Sequence, residues 1–218
     1  MKTATLRQAG KIVSLFEDTP GDQIQALLES GLLADLRDAN IEGVNRDLFR
    51  KHLGLMPVVP TFEIYRTLTI GGVPADELLR RLEAKKCFVS DWARDVMGKP
   101  AFTTAKEKIT LNLARATVRE LGFMKEPTTI ELFRRVKELG ELCPGEVGPH
   151  LRLVLDDQRN GDYFWVAMEP IVDSHGNPHA FGVERRGGSK QWLYAFYASP
   201  ERGWSLEGEV VFVLRKAR

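Results

Sequence analysis

The sequence lacks the features that most directly reveal where a protein works. It contains only two cysteines, Cys87 and Cys143, too few for a disulfide framework or for a zinc site built from thiolates. No segment approaches the roughly 18 consecutive apolar residues of a membrane-spanning helix. The first ten residues also lack the apolar core of a secretory signal. We therefore expect a cytoplasmic protein without membrane attachment and with both thiols reduced.

An excess of charge of one sign is missing as well. The chain has 31 basic and 30 acidic side chains, a formal net charge of +1, and no region is strongly basic. A nucleic-acid-binding surface usually needs a basic excess on one element, so nucleic acid is not the expected partner. Two short basic runs, Arg80-Arg81 and Arg185-Arg186, keep a nucleic-acid-associated regulator open as a third interpretation.

The common motifs of catalytic and cofactor sites are also absent. There is no Gly-x-Gly-x-x-Gly loop, no P-loop ending and no Gly-x-Ser-x-Gly elbow. Gly71-Gly72 lies between a strand pattern and a helix pattern, but without that spacing we interpret it as the end of a strand. His175 and His179 lie in a turn-forming segment, where the ligand geometry of a helical pair is lost. We therefore predict no cofactor and no metal site.

The N-terminal residues carry the patterns of short helices. Thr5 and Gln8 have the spacing of a capping box, and apolar residues then recur with helical periodicity. Three more short helices follow, of which the last is predicted at Arg46–Leu53. We interpret residues 1–55 as a small helical bundle module. Residues 56–60 contain two prolines and read as a linker.

The next segment, residues 61–142, mixes helix and strand patterns. Apolar and polar residues alternate from Phe62 to Ile70 and again from Ile109 to Leu113, which predicts two half-buried strands. Thr128 has capping-box spacing to Glu131 ahead of a predicted helix, Ile130–Leu139. Gly140 after this helix predicts a Schellman-type end.

Residues 150–218 predict an antiparallel sheet. Five runs alternate between apolar and polar residues, and turn signals separate them. These runs are Leu151–Leu155, Tyr163–Val172, Ala180–Glu184, Gln191–Ala198 and Glu209–Arg215. Asn160-Gly161 suits a two-residue hairpin turn, because such a turn needs positive φ angles. The predicted fold class is α+β, in which residues 61–218 form one domain of helices packed on a mostly antiparallel five-stranded sheet.

The loop before this sheet holds the strongest candidates for catalysis. Cys143, Glu146 and His150 could supply a nucleophile, an orienting carboxylate and a base, as covalent catalysis requires. Prolines and glycines in the loop prevent any prediction of the distances between them. The alternative is a buried cysteine at the end of a helix, followed by a rigid connection. We therefore name no catalytic residue and keep a small hydrolase that uses the Cys143–Arg152 loop as the second interpretation.

Three further residues are candidates for ligand binding. Arg152 ends the same loop and Glu169 lies on the next strand, so the two could line a small polar pocket. Trp165 belongs to an aromatic-rich region, since three of the four tryptophans follow residue 150. Aromatic side chains on both faces of a sheet leave one face available for a ligand or a partner.

Several strings of residues resemble a group of small modular bacterial proteins that have no assigned activity. The strings include Thr117–Phe123, Leu142–Leu153, Ala167–Ile171 and Ser90–Ala93, and in the N-terminal module Ala34–Asn40. Together they cover most of the chain. The resemblance implies modularity, with a helical adaptor joined to an exchangeable body, and it implies no cofactor and no catalytic residue.

The leading interpretation is a non-enzymatic cytoplasmic binding or adaptor module. Its body would recognise a protein or a small molecule, and its N-terminal helices would dock a partner. The sequence does not indicate the ligand or the oligomeric state.

Overall fold

The computed structural model of this chain describes residues 5–40, 49–50, 53, 60–188 and 190–215. The chain divides into two compact units, Met1–Pro57 and Val58–Arg218, which we call the N-terminal unit and the body. Most of the helix expected at Arg46–Leu53 and most of the expected linker lie outside the described residues. No helix in the described part is long and apolar enough to cross a membrane.

Three helices of the N-terminal unit are described: α1 (Leu6–Ser14), α2 (Gly21–Glu29) and α3 (Leu32–Asp38). The predicted capping box begins α1, because the Gln8 N–H donates to Thr5 Oγ1 at 3.3 Å while the Thr5 N–H donates to Gln8 Oε1 at 2.9 Å. None of the residues in these three helices is buried. Their apolar side chains line a groove of about 360 Å³.

Eight strands of the body form one mixed sheet. They are β1 (Arg66–Ile70), β2 (Phe88–Val89), β3 (Ile109–Thr117), β4 (Tyr163–Val166), β5 (Ile171–Val172), β6 (Pro178–Arg186), β7 (Lys190–Tyr197) and β8 (Glu209–Val213). Their order is β1-β3-β8-β4-β6-β7-β2, with β5 beside β6. The pairs β4–β8 and β2–β7 are parallel, and the others are antiparallel.

The α+β class is confirmed, but the expected five-stranded sheet is too small, and the sheet is mixed because two of its seven strand pairs are parallel. The strands predicted before residue 142 belong to the same sheet, because β3 pairs with β8 along five residues. The predicted strand Tyr163–Val172 is also two strands, β4 and β5, separated by four residues. Alternation along a strand indicates which residues share a face, but it does not identify the neighbouring strand.

The body also contains four helices among its described residues: α4 (Ala75–Ala84), α5 (Asp91–Met97), α6 (Thr129–Leu139) and α7 (Val147–Val154). Helix α6 begins as predicted, with the side chain of Thr128 accepting from the Glu131 N–H and the Glu131 carboxylate accepting from the Thr128 N–H. This capping box fixes the start of α6 and therefore the face that each of its residues occupies.

The strand predicted at Leu151–Leu155 is wrong, since these residues belong to α7 and its C-terminal cap. Leu151 and Leu155 are one helical turn apart, so their spacing fits a buried helix as well as a strand, and a short apolar run does not separate the two. The hairpin predicted at Asn160-Gly161 is also wrong, because a helix and not a strand precedes this turn. Gly161 has a φ of 85°, but it connects α7 to β4.

The end of α6 also differs from the prediction. Gly140 has a φ of −159°, so it is extended and does not form a Schellman motif. A Cβ atom at this position would lie 2.4 Å from the Val213 carbonyl oxygen and 2.8 Å from a ring carbon of Phe212. Glycine is required because α6 ends directly against β8.

Helices cover both faces of the sheet. On one face α7 packs so closely that a Cβ atom on Gly148 would lie 2.7 Å from Cβ of Phe181. On the other face Trp165, Phe196 and Trp204 form an aromatic layer beneath Phe133 of α6. Successive side chains of a strand point to opposite faces, which explains the consecutive apolar residues of β4, β7 and β8.

The contact between α7 and the sheet predicts the effect of a single methyl group. Gly148→Ala should lower the free energy of unfolding by about 1–3 kcal/mol, because the new Cβ has no space beside Phe181. Gly145→Ala is the matched control, since its Cβ would meet its neighbours only at 3.5 Å or more. Urea unfolding measures both variants. Equal stability of the two would contradict this account of the packing.

Candidate functional site

Cys143 is buried and makes structural contacts. It is 4% exposed, its N–H donates to the Ala167 carbonyl at 2.7 Å, and its thiol lies 3.6 Å from the Val211 carbonyl. Burial raises the pKa of the Cys143 thiol well above its ordinary value. Among the described residues no hydrogen bond joins this thiol to His150 or Glu146. The hydrogen-bonded series of nucleophile, base and orienting carboxylate that the sequence suggested is therefore not formed.

Glu146 holds two loops together. Its carboxylate is 1% exposed and accepts from the Gly71 N–H at 3.0 Å and from the Ala105 N–H at 2.7 Å. These amides belong to the connections that follow β1 and precede β3. Glu146 therefore joins both connections to the start of α7. Gly71, which the sequence analysis interpreted as the end of a strand, also donates one of these two hydrogen bonds.

His150 lies one turn further along α7. Its Nε2 atom is 3.3 Å from the Glu146 carboxylate, but it is buried and makes no hydrogen bond. Burial lowers the pKa of His150, and the neighbouring Glu146 carboxylate only partly opposes this effect. A substrate could reach this pair only if the surrounding residues moved.

Arg152 is fully buried near the other end of α7. Its guanidinium donates to the Gln158 side-chain oxygen at 2.7 Å, to the Glu184 carbonyl at 3.1 Å and to the Leu155 carbonyl. Within the described part of the chain no carboxylate lies within ion-pair distance, and burial lowers the pKa of Arg152. Arg152 thus connects the end of α7 to β6 rather than to a pocket shared with Glu169.

Trp165 belongs to the aromatic layer on the α6 side of the sheet. Its ring centroid is 3.9 Å from that of Phe196 and 5.6 Å from that of Tyr194. The indole ring of Trp204 contacts its edge. Trp165 is partly buried, and through these contacts it supports this face of the sheet.

Glu169 lines a groove of about 530 Å³ between α6 and the sheet, which we call the α6 groove. One wall consists of residues from the start and middle of α6, namely Thr129, Ile130, Phe133, Arg134 and Lys137. The other wall consists of residues from two connections and from the first position of β6, namely Glu169, Pro170, Pro178, Ala198 and Pro200. The structure therefore places Glu169 at a concave apolar surface, apart from Arg152.

The α6 groove is apolar at one end and charged at the other. Ile130 is 56% exposed, and its N–H donates to the Pro200 carbonyl at 3.3 Å, which places it at the apolar end. Lys137 is two turns further along the helix and donates to Glu169 at 2.7 Å. Arg134 lies between them and has no ion-pair partner among the described residues. Apolar concave surfaces with a few fixed polar groups are typical of binding sites.

Of the residues that line this groove, the sequence analysis named only Glu169 as a candidate, and it placed Glu169 in a pocket with Arg152 instead. A signal was present on α6, because the capping box fixes the helical phase and thereby places Ile130, Arg134 and Lys137 on one stripe. Ile130 lies outside the buried stripe of α6, which contains Leu132 and Val136. No comparable signal exists for the opposite wall, whose prolines come from separate segments.

The histidine and basic clusters that the sequence suggested as sites form contacts within the protein. His179 is buried and lies 3.0 Å from Asp173, while the other oxygen of Asp173 accepts from the backbone N–H of His175. Among the described residues no group of three or more metal-ligating side chains could hold an ion. The basic run on α4 is paired, with Arg81 bound to Glu77 at 2.9 Å.

No protein-family model, no curated protein and no solved structure matches this chain. Its function is therefore inferred from the side chains themselves.

The burial of Cys143 predicts its reactivity. Iodoacetamide should not label Cys143 in the folded protein at any pH up to about 9, because a protonated, buried thiol is a poor nucleophile. Labelling should begin only as urea unfolds the body, and mass spectrometry of the peptides measures it. Rapid labelling with a low apparent pKa would contradict this and would favour the hydrolase interpretation.

The burial of His150 predicts a pH dependence. Because the pKa of His150 is lower in the folded than in the unfolded protein, the unfolded state binds more protons as the pH falls below about 6.5. His150 should therefore reduce stability on acidification, by up to about 1.4 kcal/mol per pH unit. His150→Gln should flatten the stability profile between pH 7 and pH 5, measured by urea unfolding. A stability profile that keeps its slope in His150→Gln would contradict this account.

Proposed function

We propose that this protein is a non-enzymatic cytoplasmic binding module, and that its body holds an apolar segment of a partner polypeptide in the α6 groove. The observation that carries the proposal is the apolar floor of this groove, which is open to solvent at Ile130. A contiguous apolar surface that remains exposed in a folded protein is characteristic of an interaction site.

The walls of the groove are held in place before a partner arrives. Phe133 rests on Trp204 with a centroid distance of 6.1 Å, and the Trp204 indole N–H donates to the Thr129 hydroxyl at 2.9 Å. The opposite wall contains three prolines, whose φ angles are restricted. A preorganised surface loses little conformational entropy on binding, so more of the contact energy contributes to affinity.

The same proposal assigns a docking role to the N-terminal unit. The exposed apolar side chains of its helices include Ile12 and Leu28, both of which line its own groove. Helices with one apolar face commonly bind a second apolar surface. The N-terminal unit would thus act as the adaptor part of the chain.

We favour a binding module over the two other functions that the sequence leaves open. A hydrolase that used the Cys143–Arg152 loop would need an accessible thiolate, and Cys143 is buried. A nucleic-acid regulator would need the arginines of the two basic runs to be free to bind phosphate groups. Arg81 is paired with Glu77, and Arg185 donates to the Asp156 and Gln158 carbonyls.

The test uses a random peptide display library panned against the full chain. Ile130→Lys should abolish enrichment of one class of peptides, because it places a charge at the apolar end of the groove. Ile109→Lys is the matched control, since Ile109 is 44% exposed on β3 and does not line the groove. Both changes are at exposed positions and should alter stability by less than about 0.5 kcal/mol. Enrichment that is absent, or that does not depend on Ile130, would refute the proposal.

A further inference from the structure

We propose that the α6 groove selects a partner segment with an acidic side chain two residues away from its apolar anchor. Arg134 binds the acidic side chain of this segment. Glu169 lowers the affinity for the segment, because it already forms an ion pair with Lys137. This inference rests on the function proposed above and names the chemistry of the partner.

The spacing follows from the geometry of α6. Ile130 and Arg134 are four residues apart, so their Cα atoms are separated by about 6 Å along the helix axis. An extended peptide advances about 3.3 Å per residue. A segment that lies along α6 with an apolar side chain over Ile130 therefore brings the side chain two positions later beside Arg134.

The charges at this end of the groove favour a carboxylate. Lys137 is paired with Glu169, whereas Arg134 has no carboxylate within 4.0 Å in the part of the chain that the structure describes. Glu131, one turn before Arg134, is occupied in the capping box, where it accepts from the Thr128 N–H at 2.8 Å. Arg134 therefore interacts with Glu131 only at a distance beyond that of an ion pair, and its guanidinium can bind a planar carboxylate of the partner directly.

Glu169 competes with the ligand for the second cation. Lys137 and Arg134 are three residues apart on one face of α6, so both can reach a carboxylate placed between them. The Glu169 carboxylate neutralises Lys137 at 2.7 Å. Neutralising Glu169 would leave two cations for the ligand, so loss of this carboxylate should strengthen the binding of an acidic segment. Removal of Arg134 should have the opposite effect.

The experiment uses two peptide display libraries panned on the full-length protein. One library fixes Leu and, two residues later, Asp, and the other replaces only that Asp with Asn. The best clones are then measured as labelled peptides by fluorescence anisotropy at low and high salt. Acidic peptides should bind about two- to fivefold more tightly than their amide counterparts, as expected for one exposed ion pair. The difference should shrink at high salt.

Two variants with matched controls separate a binding role from a structural one. Arg134→Gln should remove the preference for Asp, whereas Arg159→Gln, at another exposed arginine without an ion-pair partner among the described residues, should not. Glu169→Gln should tighten the binding of acidic peptides by about two- to fivefold. Glu207→Gln is its control, because Glu207 is equally exposed and is paired with Arg119 at 2.6 Å.

The outcomes distinguish this inference from the proposed function. If peptides bind in a manner that depends on Ile130, but equally with Asp and Asn, the inference is wrong and the binding function stands. If Glu169→Gln weakens binding, the competition for Lys137 is wrong. If neither library yields a peptide that depends on Ile130, the binding function itself is refuted.

Discussion

The body depends on how the polar groups near the two ends of the buried helix α7 are satisfied. Glu146 precedes this helix and accepts from the amides of Gly71 and Ala105, while Arg152 donates to the carbonyls of Leu155 and Glu184. A buried charge without partners costs several kcal/mol. The two loops, β6 and α7 therefore have one arrangement in which both charges are bonded, and this arrangement positions the sheet on which α6 rests.

This constraint explains why the potentially reactive side chains between Cys143 and Arg152 are buried. A thiol, an imidazole, a carboxylate and a guanidinium within ten residues suggest catalysis when they are read along the chain. In the structure the carboxylate and the guanidinium connect α7 to its surroundings, and Cys143 faces the Val211 carbonyl. The opposite side of the sheet is different, because α6 leaves Ile130 and Arg134 exposed beside three prolines.

The sequence predicted what local patterns determine. The capping box at Thr128 predicted α6 almost to the residue, and alternation predicted strands within β3, β6, β7 and β8. It failed at α7, since Leu151 and Leu155 fit a strand and a helix equally, and it missed β2, which has only two residues. The α6 groove could not be predicted in full, because its proline wall is assembled from segments that are distant in the chain and meet only through tertiary packing.

The position of β8 in the sheet has a consequence for synthesis on the ribosome. In sequence order β8 is the last of the strands that the structure describes, yet it lies between β3 and β4. Until residue 213 has emerged, the strands that the structure describes form two separate groups. One group is β1 with β3, and the other consists of β4, β6, β7, β2 and β5. The edges of β3 and β4 that later pair with β8 are unpaired in the meantime. Exposed edges of this kind promote aggregation. The body therefore completes its sheet only after residue 213 has left the ribosome, which is later than the synthesis of every other strand that the structure describes.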